Sequence, residues 1–446
     1  MSEPHELTGW GRTAPTVAAT IRSDAAGVPE AVRRAGARGL IARGLGRSYG
    51  DPAQNAGGDV LLPVPGPLEV DATAGVVRVA AGTSLHDLMV ELLPRGLFLP
   101  VTPGTRYVTV GGAIACDVHG KSHHVAGSFG EHVVSLDLVT ADGATRTLGP
   151  DRDPELFWAT VGGMGLTGVI TRAELRTIPV ETSSMSVTTT RLPDLDAAMA
   201  AMRSTDAGFT YSVAWIDTLA RGRSMGRSVL SQGEHATRGE LAGRAARHPL
   251  SPPGRPRLAA PRRLPGGLVR PATVRAFNEA WFHKAPRHRS GEIQSIASFF
   301  HPLDGVGAWN RLYGPRGFVQ YQCVVPDDAE ETMTRIVERI SGQGHASFLS
   351  VLKRFGPGDP GLLSFPMAGW TLALDLPAHP GLATLLEELD ELVVGVGGRV
   401  YLAKDARVGP ARLREMYPRV DDFLAVRRRV DPARVFRSDL SRRLEL

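Results

Sequence analysis

Three glycine-rich stretches in the N-terminal third of the sequence have the residue types that bind phosphate groups. They are "RGLGRSYGD" at 43–51, "TPGTRYVTVGGAIACDVHGKSHHVAGSFGEH" at 102–132 and "WATVGGMGLTGVI" at 158–170. Glycine lets a ligand approach the backbone closely and adopts positive φ, so that successive peptide N–H groups can point at one anion. A single such loop is weak support, because glycine also serves ordinary turns. Three of them, each beside apolar strand-like sequence, predict one extended diphosphate ligand held by several loops.

Two familiar nucleotide-binding patterns do not describe these stretches. None of them places GxGxxG between a strand and a helix, as a Rossmann fold requires, and none reads GxxxxGK[ST], as a P-loop does.

The two adjacent histidines His123 and His124 have no carboxylate beside them and make a weak metal site. Cys116 and Cys323 lack a zinc-binding spacing and are too few for a disulfide framework. We therefore expect no metal ion and two buried thiols.

Periodicity indicates the elements that must position these loops. Residues 75–96 combine an alternating strand with a helix, and Ser84 and Asp87 have the spacing of a capping box. Apolar and polar residues alternate on both sides of Asp142-Gly143, which predicts a β-hairpin. After Ile178-Pro179 the sequence changes to strands and amphipathic helices. The predicted helical faces are Leu195, Ala198, Met199 and Met202; Met333, Ile336, Val337 and Ile340; and Leu382, Leu385, Leu386 and Leu389.

We therefore predict an α+β protein with a domain boundary near residue 180. Residues 1–180 form the ligand-binding domain, residues 181–395 form a second domain, and residues 396–446 return to the first. Residues 244–271 contain no acidic residue and are dense in proline, glycine and arginine, so a mobile basic loop is expected over about 232–275. It is either a solvated insertion or a surface for anionic lipid headgroups. Nucleic acid is disfavoured as a partner, because aromatic residues are not interleaved with the arginines.

Bulk composition places the chain among ordinary globular proteins. It has 446 residues, of which 42% are hydrophobic and 22% charged, with a formal charge of +5 that permits anionic partners without identifying them. No apolar run reaches the roughly 18 residues of a membrane span. The start "MSEPHELTGWGR" lacks the pattern of a secretory signal. We expect a cytoplasmic protein or one held peripherally at the plasma membrane.

The glycine-rich stretches resemble the FAD-binding domain of the vanillyl-alcohol-oxidase flavoprotein family. Downstream, "FFHPLDGVGAWNRLYGPRGFVQYQ", "SFLSVLKRFGPG", "LSFPMAGW" and "YLAKDAR" are similar to a branch of that family that oxidises a lipid-linked ribose, and the similarity runs from "LTGWGRTAP" to "RRLEL". The resemblance implies a two-domain FAD-linked oxidase whose substrate domain is an antiparallel sheet with helices. The implied reaction oxidises the ribose C2′ hydroxyl of a polyprenylphosphoryl ribose to a 2-keto sugar, the first half of an epimerisation that supplies arabinose for cell-wall arabinan.

The same resemblance implies which residues bind FAD. Several relatives carry a histidine bonded to the flavin at the position of Arg47, and arginine cannot make that bond, so we expect non-covalent FAD; a surface ion pair is the other reading of Arg47. The implied FAD-binding residues are Arg43, Gly44, Leu45, Gly46, Arg47, Ser48, Tyr49, Pro103, Gly104, Thr105, Thr109, Gly111, Gly112, Ala115, Cys116, His119, Gly120, Ser122, His123, Gly163, Gly168 and Ile170.

The implied catalytic residues are Lys404, His119 and Tyr49. A cation at Lys404 would stabilise a developing alkoxide, although a lysine in "RVYLAKDAR" is otherwise a solvated charge on a strand edge. His119 either orients substrate or flavin or is a structural histidine. The implied substrate-binding residues are Lys121, Trp215, Gln320, Gln322, Lys353, Phe355, Thr371 and Lys404. Trp215 and Phe355 would give an apolar wall for the sugar or the prenyl chain, and core packing is the other reading of both.

Two residues depart from the branch, which has asparagine at the position of Thr371 and a cysteine at that of Ala373, where covalent inhibitors bind. We expect activity without covalent inhibition at Ala373.

Gln320 and Gln322 alternate in "VQYQC" and so face one side of a strand. They bond ribose hydroxyls if that side faces the pocket, and are ordinary exposed residues if it does not.

The implied partner is an NAD(P)H-dependent short-chain reductase that completes the epimerisation. One alternative function is a soluble FAD-dependent sugar, alditol or aldonolactone oxidase of the same family. Two others lie outside catalysis: a flavin-bound subunit that acts as a scaffold for a reductase, and a prenyl-lipid carrier that binds FAD for stability.

Overall fold

The structure is a computed structural model that describes residues 4–256, 258–261, 268–345 and 347–446. Its N-terminal part has a four-stranded sheet, a five-stranded sheet and a two-stranded sheet, and short helices lie between their strands. The strands are β1 (Pro4–Leu7), β2 (Thr16–Ser23), β3 (Leu40–Ala42), β4 (Asp59–Pro63), β5 (Leu68–Asp71), β6 (Val76–Ala80), β7 (Leu97–Phe98), β8 (Val133–Val139), β9 (Thr145–Leu148), β10 (Val169–Arg176) and β11 (Ile178–Pro179). The helices are α1 (Val28–Arg33), α2 (Leu85–Leu92), α3 (Val110–Ala115), α4 (His123–Ala126) and α5 (Pro154–Thr160).

The strand order of these sheets explains where the glycine-rich loops lie. One sheet has the order β1-β2-β4-β3 and the other β5-β6-β10-β8-β9, while β7 pairs with β11. The first loop follows β3, the second surrounds α3 and α4, and the third joins α5 to β10. All three loops therefore leave elements that a shared apolar core fixes in place.

The second part of the chain is built on one eight-stranded sheet, and its strand pairs are antiparallel. Its order is β16-β12-β14-β13-β19-β20-β18-β21. The strands are β12 (Ser184–Leu192), β13 (Tyr211–Ile216), β14 (Ser228–His235), β15 (Leu258–Ala259), β16 (His288–Ser295), β17 (Val306–Gly307), β18 (Phe318–Val325), β19 (Ser350–Phe355), β20 (Gly369–Pro377) and β21 (Arg399–Val400). The helices are α6 (Leu195–Thr205), α7 (Gly243–Arg247), α8 (Pro271–Lys284), α9 (Ile296–Phe300), α10 (Glu330–Gln343) and α11 (Leu382–Val394). Short 3₁₀ helices occupy Leu93–Arg95, Phe129–His132, Asp206–Gly208, Gly222–Ser224, Arg238–Glu240, Pro302–Gly305 and Trp309–Tyr313.

Local sequence signals are confirmed where they are strongest. The Ser84 side chain caps α2 by accepting a hydrogen bond from the Asp87 N–H at 3.0 Å. The predicted hairpin is β8 and β9, and Gly143 in its turn has a φ of +76°. The predicted apolar faces of α6, α10 and α11 are buried. The predicted α+β class is confirmed.

The C-terminal segment contains α12 (Pro410–Met416), α13 (Val420–Val430) and α14 (Asp439–Arg443), of which α13 contacts α5 and α14 contacts the loop after β3. The Arg443 guanidinium bonds both oxygens of Asp51, at 2.7 and 3.0 Å, and also an Asp405 oxygen at 2.8 Å. Phe436 is buried in an apolar cluster with residues of α1, β3 and β4. These contacts agree with a segment that returns to the first domain, and the limits at residues 180 and 395 remain a prediction.

The predicted basic loop over 232–275 contains more regular structure than expected. Residues 228–235 form β14, because "SVLSQGEH" pairs with β12 on one side and β13 on the other. The helix α8 begins at Pro271, where a proline fits the first helical turn. Between them lie α7 and β15, and residues 257 and 262–267 of the predicted loop lie outside the described residues.

In the described chain, no helix combines the length and the apolar character needed to cross a membrane.

Candidate active site

A cavity of about 830 Å³ lies between the glycine-rich loops and one face of the eight-stranded sheet. It brings together residues from all three loops, from β13, β18 and β19, and from the turn that contains Lys404. A second cavity of about 610 Å³ adjoins it and shares Gly44, Leu45, Arg47 and Thr109 with it. Together they form an elongated space, which suits a long ligand bound across several loops.

The first glycine-rich loop offers a row of free backbone donors to this space. The N–H groups of residues 44–48 make no hydrogen bond to the described parts of the chain, whereas those of Arg43 and Tyr49 bond Leu61 O at 2.7 Å and Ala403 O at 3.1 Å. Gly46 has a φ of +64°, which glycine adopts without strain. A Cβ on Gly44 would lie 2.3 Å from the Thr109 hydroxyl oxygen, so a larger residue would push the loop off α3. This donor set fits a diphosphate.

Arg47 lines both cavities and lies against an aromatic ring. Its guanidinium carbon is 3.9 Å from the ring centroid of Trp10, and its buried Nε has no hydrogen-bond partner among the described residues. Burial lowers the pKa of Arg47, while the nearby Asp304 carboxylate raises it. An arginine held in this way supplies a cation to the space between the cavities.

Three lysines line the larger cavity, and the sequence contains only four lysines in total, Lys284 being the other. Burial, and to a lesser extent the charge of a neighbouring lysine, lowers the pKa of Lys121 and of Lys353 to about 7; the neighbours are Lys353 and Lys404 respectively. Burial also lowers the pKa of Lys404 to about 8. An anionic ligand would stabilise the charged forms of lysines buried together in this way. Lysine is scarce in this sequence, and that scarcity was a signal for the site that hydrophobic periodicity does not give.

The expectation that Lys404 lies in a strand-like stretch is wrong. The strand β21 ends at Val400, and a turn follows in which the N–H groups of Lys404 and Asp405 both donate to Tyr401 O, at 2.9 and 3.0 Å. Within this turn, Asp405 accepts a hydrogen bond from the Arg443 guanidinium at 2.8 Å. The turn places the Lys404 Nζ 4.0 Å from the ring centroid of Tyr49. Lys404 is therefore a cavity residue, not an edge charge.

Asp375 is a site residue that sequence reasoning missed. It lies in β20, is fully buried, and accepts a hydrogen bond from the Gln320 side-chain amide at 2.5 Å. Burial raises the pKa of Asp375 to about 7, although the Gln320 hydrogen bond and the Lys404 charge lower it. The same carboxylate raises the pKa of Lys404. An aspartate inside the apolar strand "GWTLALDLP" was the available signal, because buried carboxylates need a partner.

His119 lines the cavity as a neutral imidazole. Burial, together with the charge of Lys353, lowers its pKa well below the ordinary value. Its Nε2 accepts a hydrogen bond from the Gln322 amide nitrogen at 2.8 Å, and Nδ1 has no partner among the described residues. The Gln322 amide also donates to the Thr371 hydroxyl at 3.2 Å. The ring therefore has a fixed orientation and one free N–H donor.

Most predicted residues border one of the two cavities. Gln320 and Gln322 do face the larger cavity, yet their amides bond Asp375 and His119. Arg43 borders the smaller cavity. Among the predicted site residues, those that line the larger cavity are Gly44, Leu45, Gly46, Arg47, Ser48, Tyr49, Pro103, Gly104, Thr105, Thr109, Gly111, Gly112, Ala115, Cys116, His119, Gly120, Lys121, Gly168, Ile170, Trp215, Gln320, Gln322, Lys353 and Lys404.

Five predicted residues lie behind the cavity wall. The Phe355 ring packs between His119 and His123, at centroid distances of 4.8 and 4.4 Å. The Ser122 hydroxyl donates to Pro100 O at 3.2 Å. Gly163 approaches its own preceding turn so closely that a Cβ would lie 2.1 Å from Ala159 O. The Thr371 hydroxyl accepts a hydrogen bond from the Gln322 amide at 3.2 Å.

In the described residues, no group of three His, Cys, Asp or Glu side chains is arranged to hold a metal ion.

Comparisons with known proteins agree with this geometry. A family model described as "FAD binding domain" matches residues 18–149, and one described as "D-arabinono-1,4-lactone oxidase" matches residues 376–444. The chain is 47% identical to the decaprenylphosphoryl-beta-D-ribose oxidase of Mycolicibacterium smegmatis, over 99% of this chain and 97% of that one. It is 26% identical to the L-gulono-1,4-lactone dehydrogenase of Mycobacterium tuberculosis, over 93% and 92%. It is 27% identical to the alditol oxidase of a Streptomyces species, over 91% and 90%.

Proposed function

We propose a reaction for this chain from the premise that it belongs to the decaprenylphosphoryl-β-D-ribose oxidase family. The resemblance seen in the sequence motifs is thereby confirmed, and the chain is an FAD-dependent oxidoreductase. The proposed reaction oxidises the C2′ hydroxyl of decaprenylphosphoryl-β-D-ribose to the 2-keto sugar. The observation that carries this proposal is the convergence of three of the four lysines on one cavity beside a glycine-rich loop.

Backbone groups and Arg47 would hold the FAD diphosphate. The free N–H groups of residues 44–48 supply donors where the two cavities meet, and Arg47 supplies a positive charge. We propose that FAD is bound without a covalent bond, because Arg47 carries no nucleophilic imidazole and its guanidinium is held on Trp10. FAD held by these residues would supply the acceptor for the hydride that leaves C2′.

Lys404 is the residue proposed to stabilise negative charge on the reacting oxygen. The hydroxyl proton leaves as C2′ loses its hydride, so charge accumulates on that oxygen, and a fixed cation in a water-poor site stabilises it strongly. Asp375 keeps Lys404 in its charged form, since the carboxylate raises the lysine pKa. The free Nδ1–H of His119 is available to orient a sugar hydroxyl or the cofactor. The Tyr49 ring packs against the Lys404 ammonium and so helps to position it.

Lys121 and Lys353 are proposed to bind the phosphodiester of the substrate. Both line the cavity, and in the described chain neither forms an ion pair with a carboxylate. A phosphate between them would favour their charged forms, against the burial and the neighbouring lysine charge that lower their pKa values. Free sugars carry no such anion. This charge requirement favours a phosphorylated sugar over the polyols and lactones named for the relatives of lower identity.

An aldonolactone or alditol oxidase is the second candidate function. The family model described as "D-arabinono-1,4-lactone oxidase" covers residues 376–444, which include the Lys404 turn. That segment therefore fits more than one sugar substrate. A rapid reaction of the reduced flavin with oxygen would favour this candidate, whereas slow reoxidation in air would favour a separate electron acceptor.

Two associations of the chain are proposed on chemical grounds. The keto product becomes arabinose only after a second hydride is delivered to C2′, so we propose an NAD(P)H-dependent reductase as partner. We also propose peripheral contact with anionic lipid, supported by the acid-free segment 244–271 and by two exposed apolar residues, Leu258 within that segment and its strand partner Val306, which are 74% and 41% accessible. Sedimentation with anionic and neutral vesicles tests this contact, and equal binding to both would contradict it.

Isotope substitution tests the proposed site of oxidation. Substrate deuterated at C2′ should reduce the flavin more slowly than unlabelled substrate in an anaerobic stopped-flow experiment, because the C2′–H bond breaks in that step. Substrate deuterated at C3′ serves as the matched control and should behave as unlabelled. An isotope effect at C3′ and none at C2′ would show that another hydroxyl is oxidised.

A further inference from the structure

The helix α8 presents two aromatic rings to solvent at the mouth of the larger cavity. It rests on the protein through buried Val274 and Asn278, while Phe277 and Trp281 remain 44% and 43% exposed. The two rings are stacked, with centroids 6.0 Å apart and planes inclined by 16°. Both rings, together with Leu268, also line the cavity. We name Leu268, Phe277 and Trp281 the aromatic ledge.

The aromatic ledge continues inward along an apolar wall. Phe277 contacts Phe348 at a centroid distance of 6.1 Å, and the Trp215 indole N–H donates to Phe348 O at 3.2 Å. The apolar side chains that line the cavity beside them are Val269, Leu312, Leu349 and Val351. A continuous apolar surface therefore connects solvent with the interior of the cavity.

The strand β19 relates this wall to the proposed phosphate site. Val351 and Lys353 both line the cavity, as expected for alternate residues along one strand face, and Leu349, which immediately precedes the strand, lines it too. At about 3.3 Å per residue, Lys353 lies about 7 Å along the strand from Val351. One face of the cavity is therefore apolar at the end next to the aromatic ledge and cationic at the other.

We propose that the aromatic ledge and this wall bind the isoprene units nearest the phosphate in the substrate's polyprenyl chain. The inference rests on the proposed function, because it needs the phosphate at Lys121 and Lys353. A chain attached to that phosphate has to leave the cavity, and the apolar wall gives a route on which hydrocarbon is kept out of water. Exposed rings that border the substrate cavity gain most when a hydrocarbon covers them. A bilayer and a second copy of the chain are the competing occupants.

Chain-length dependence in vesicle-free solution tests this proposal. Anaerobic flavin reduction is measured with farnesylphosphoryl ribose and with isopentenylphosphoryl ribose, which have three isoprene units and one. The variants are Phe277→Ser/Trp281→Ser, Phe277→Leu/Trp281→Leu and the control Val17→Ser, which changes a side chain 55% exposed on β2. The bound-flavin spectrum of each variant reports folding. The readout is the ratio of kcat/KM for the longer substrate to that for the shorter one.

The serine variant should lower this ratio about tenfold, because it removes the apolar surface that only the longer chain reaches. The leucine variant and Val17→Ser should keep the ratio within about twofold of the wild type. An unchanged ratio in a folded serine variant overturns the proposal. So does a loss that occurs only when the substrate is embedded in vesicles, since that result assigns the aromatic ledge to the bilayer. If wild-type protein oxidises neither substrate, the proposed function fails with it.

Discussion

Replacing Lys404 by methionine removes one positive charge and keeps a side chain of similar length. The ammonium lies 4.0 Å from the Tyr49 ring and is partly buried, so methionine can occupy the same space. Loss of one group that stabilises an oxyanion costs about 10²–10³ in kcat, or about 2.7–4 kcal/mol. The rate of flavin reduction in Lys404→Met should therefore fall by about 10²–10³. FAD should remain bound, since its proposed ligands are the loop at 44–48 and Arg47.

The assay is anaerobic stopped-flow bleaching of the oxidised flavin, with bound FAD measured from the visible absorbance of the purified variant. Lys284→Met is the matched control, because it changes the remaining lysine, on the exposed side of α8, to the same residue. It should reduce flavin at the wild-type rate. A rate in Lys404→Met within tenfold of wild type would show that this ammonium does not stabilise the transition state. Loss of FAD from the variant would assign Lys404 to the cofactor site instead.

Three further predictions follow from the charges of the site. The rate of flavin reduction should fall as the pH rises through about 8, where Lys404 loses its proton, and Asp375→Asn should move that midpoint to lower pH, because the carboxylate raises the lysine pKa; an unmoved midpoint would contradict the pairing. Binding of a phosphorylated substrate at neutral pH should take up protons, since a phosphate raises the pKa values of Lys121 and Lys353 from about 7; titration calorimetry in buffers of different ionisation enthalpy would detect this, and heats independent of buffer would refute it. Acid precipitation should leave the flavin in the supernatant, because Arg47 cannot form a covalent link, and flavin that stays with the precipitate would disprove non-covalent binding.

The sequence was most informative where a local pattern determines a local structure. Capping at Ser84, the Asp142-Gly143 turn and the apolar faces of α6, α10 and α11 depend on residues within one or two turns of chain, and all are confirmed. The glycine-rich loops also follow from composition, because few other residues tolerate a φ of +64° at Gly46. These features needed no knowledge of which strands pair.

Tertiary contacts determine the features that the sequence did not reveal. Asp375 becomes a site residue only because β18 pairs with β20, which places Gln320 directly opposite Asp375. Lys404 lies outside the expected strand, in a turn whose Asp405 is bonded by Arg443, far along the chain. Phe355 was assigned to the substrate wall, yet its ring packs on His119 and His123, although it shares a strand face with Val351 and Lys353. In each case the contacting residues are distant in sequence.

Anaerobic bleaching with a panel of sugars tests the central claim most directly. Purified FAD-bound protein is mixed with a short-chain polyprenylphosphoryl ribose, free ribose, xylitol and an aldonolactone, and the oxidised-flavin absorbance is followed. Because Lys121 and Lys353 are proposed to bind the substrate phosphate, the lipid-linked sugar alone should bleach the flavin. Bleaching by xylitol or the lactone, and none by the phosphorylated lipid, would contradict this account and place the protein with the soluble sugar oxidases.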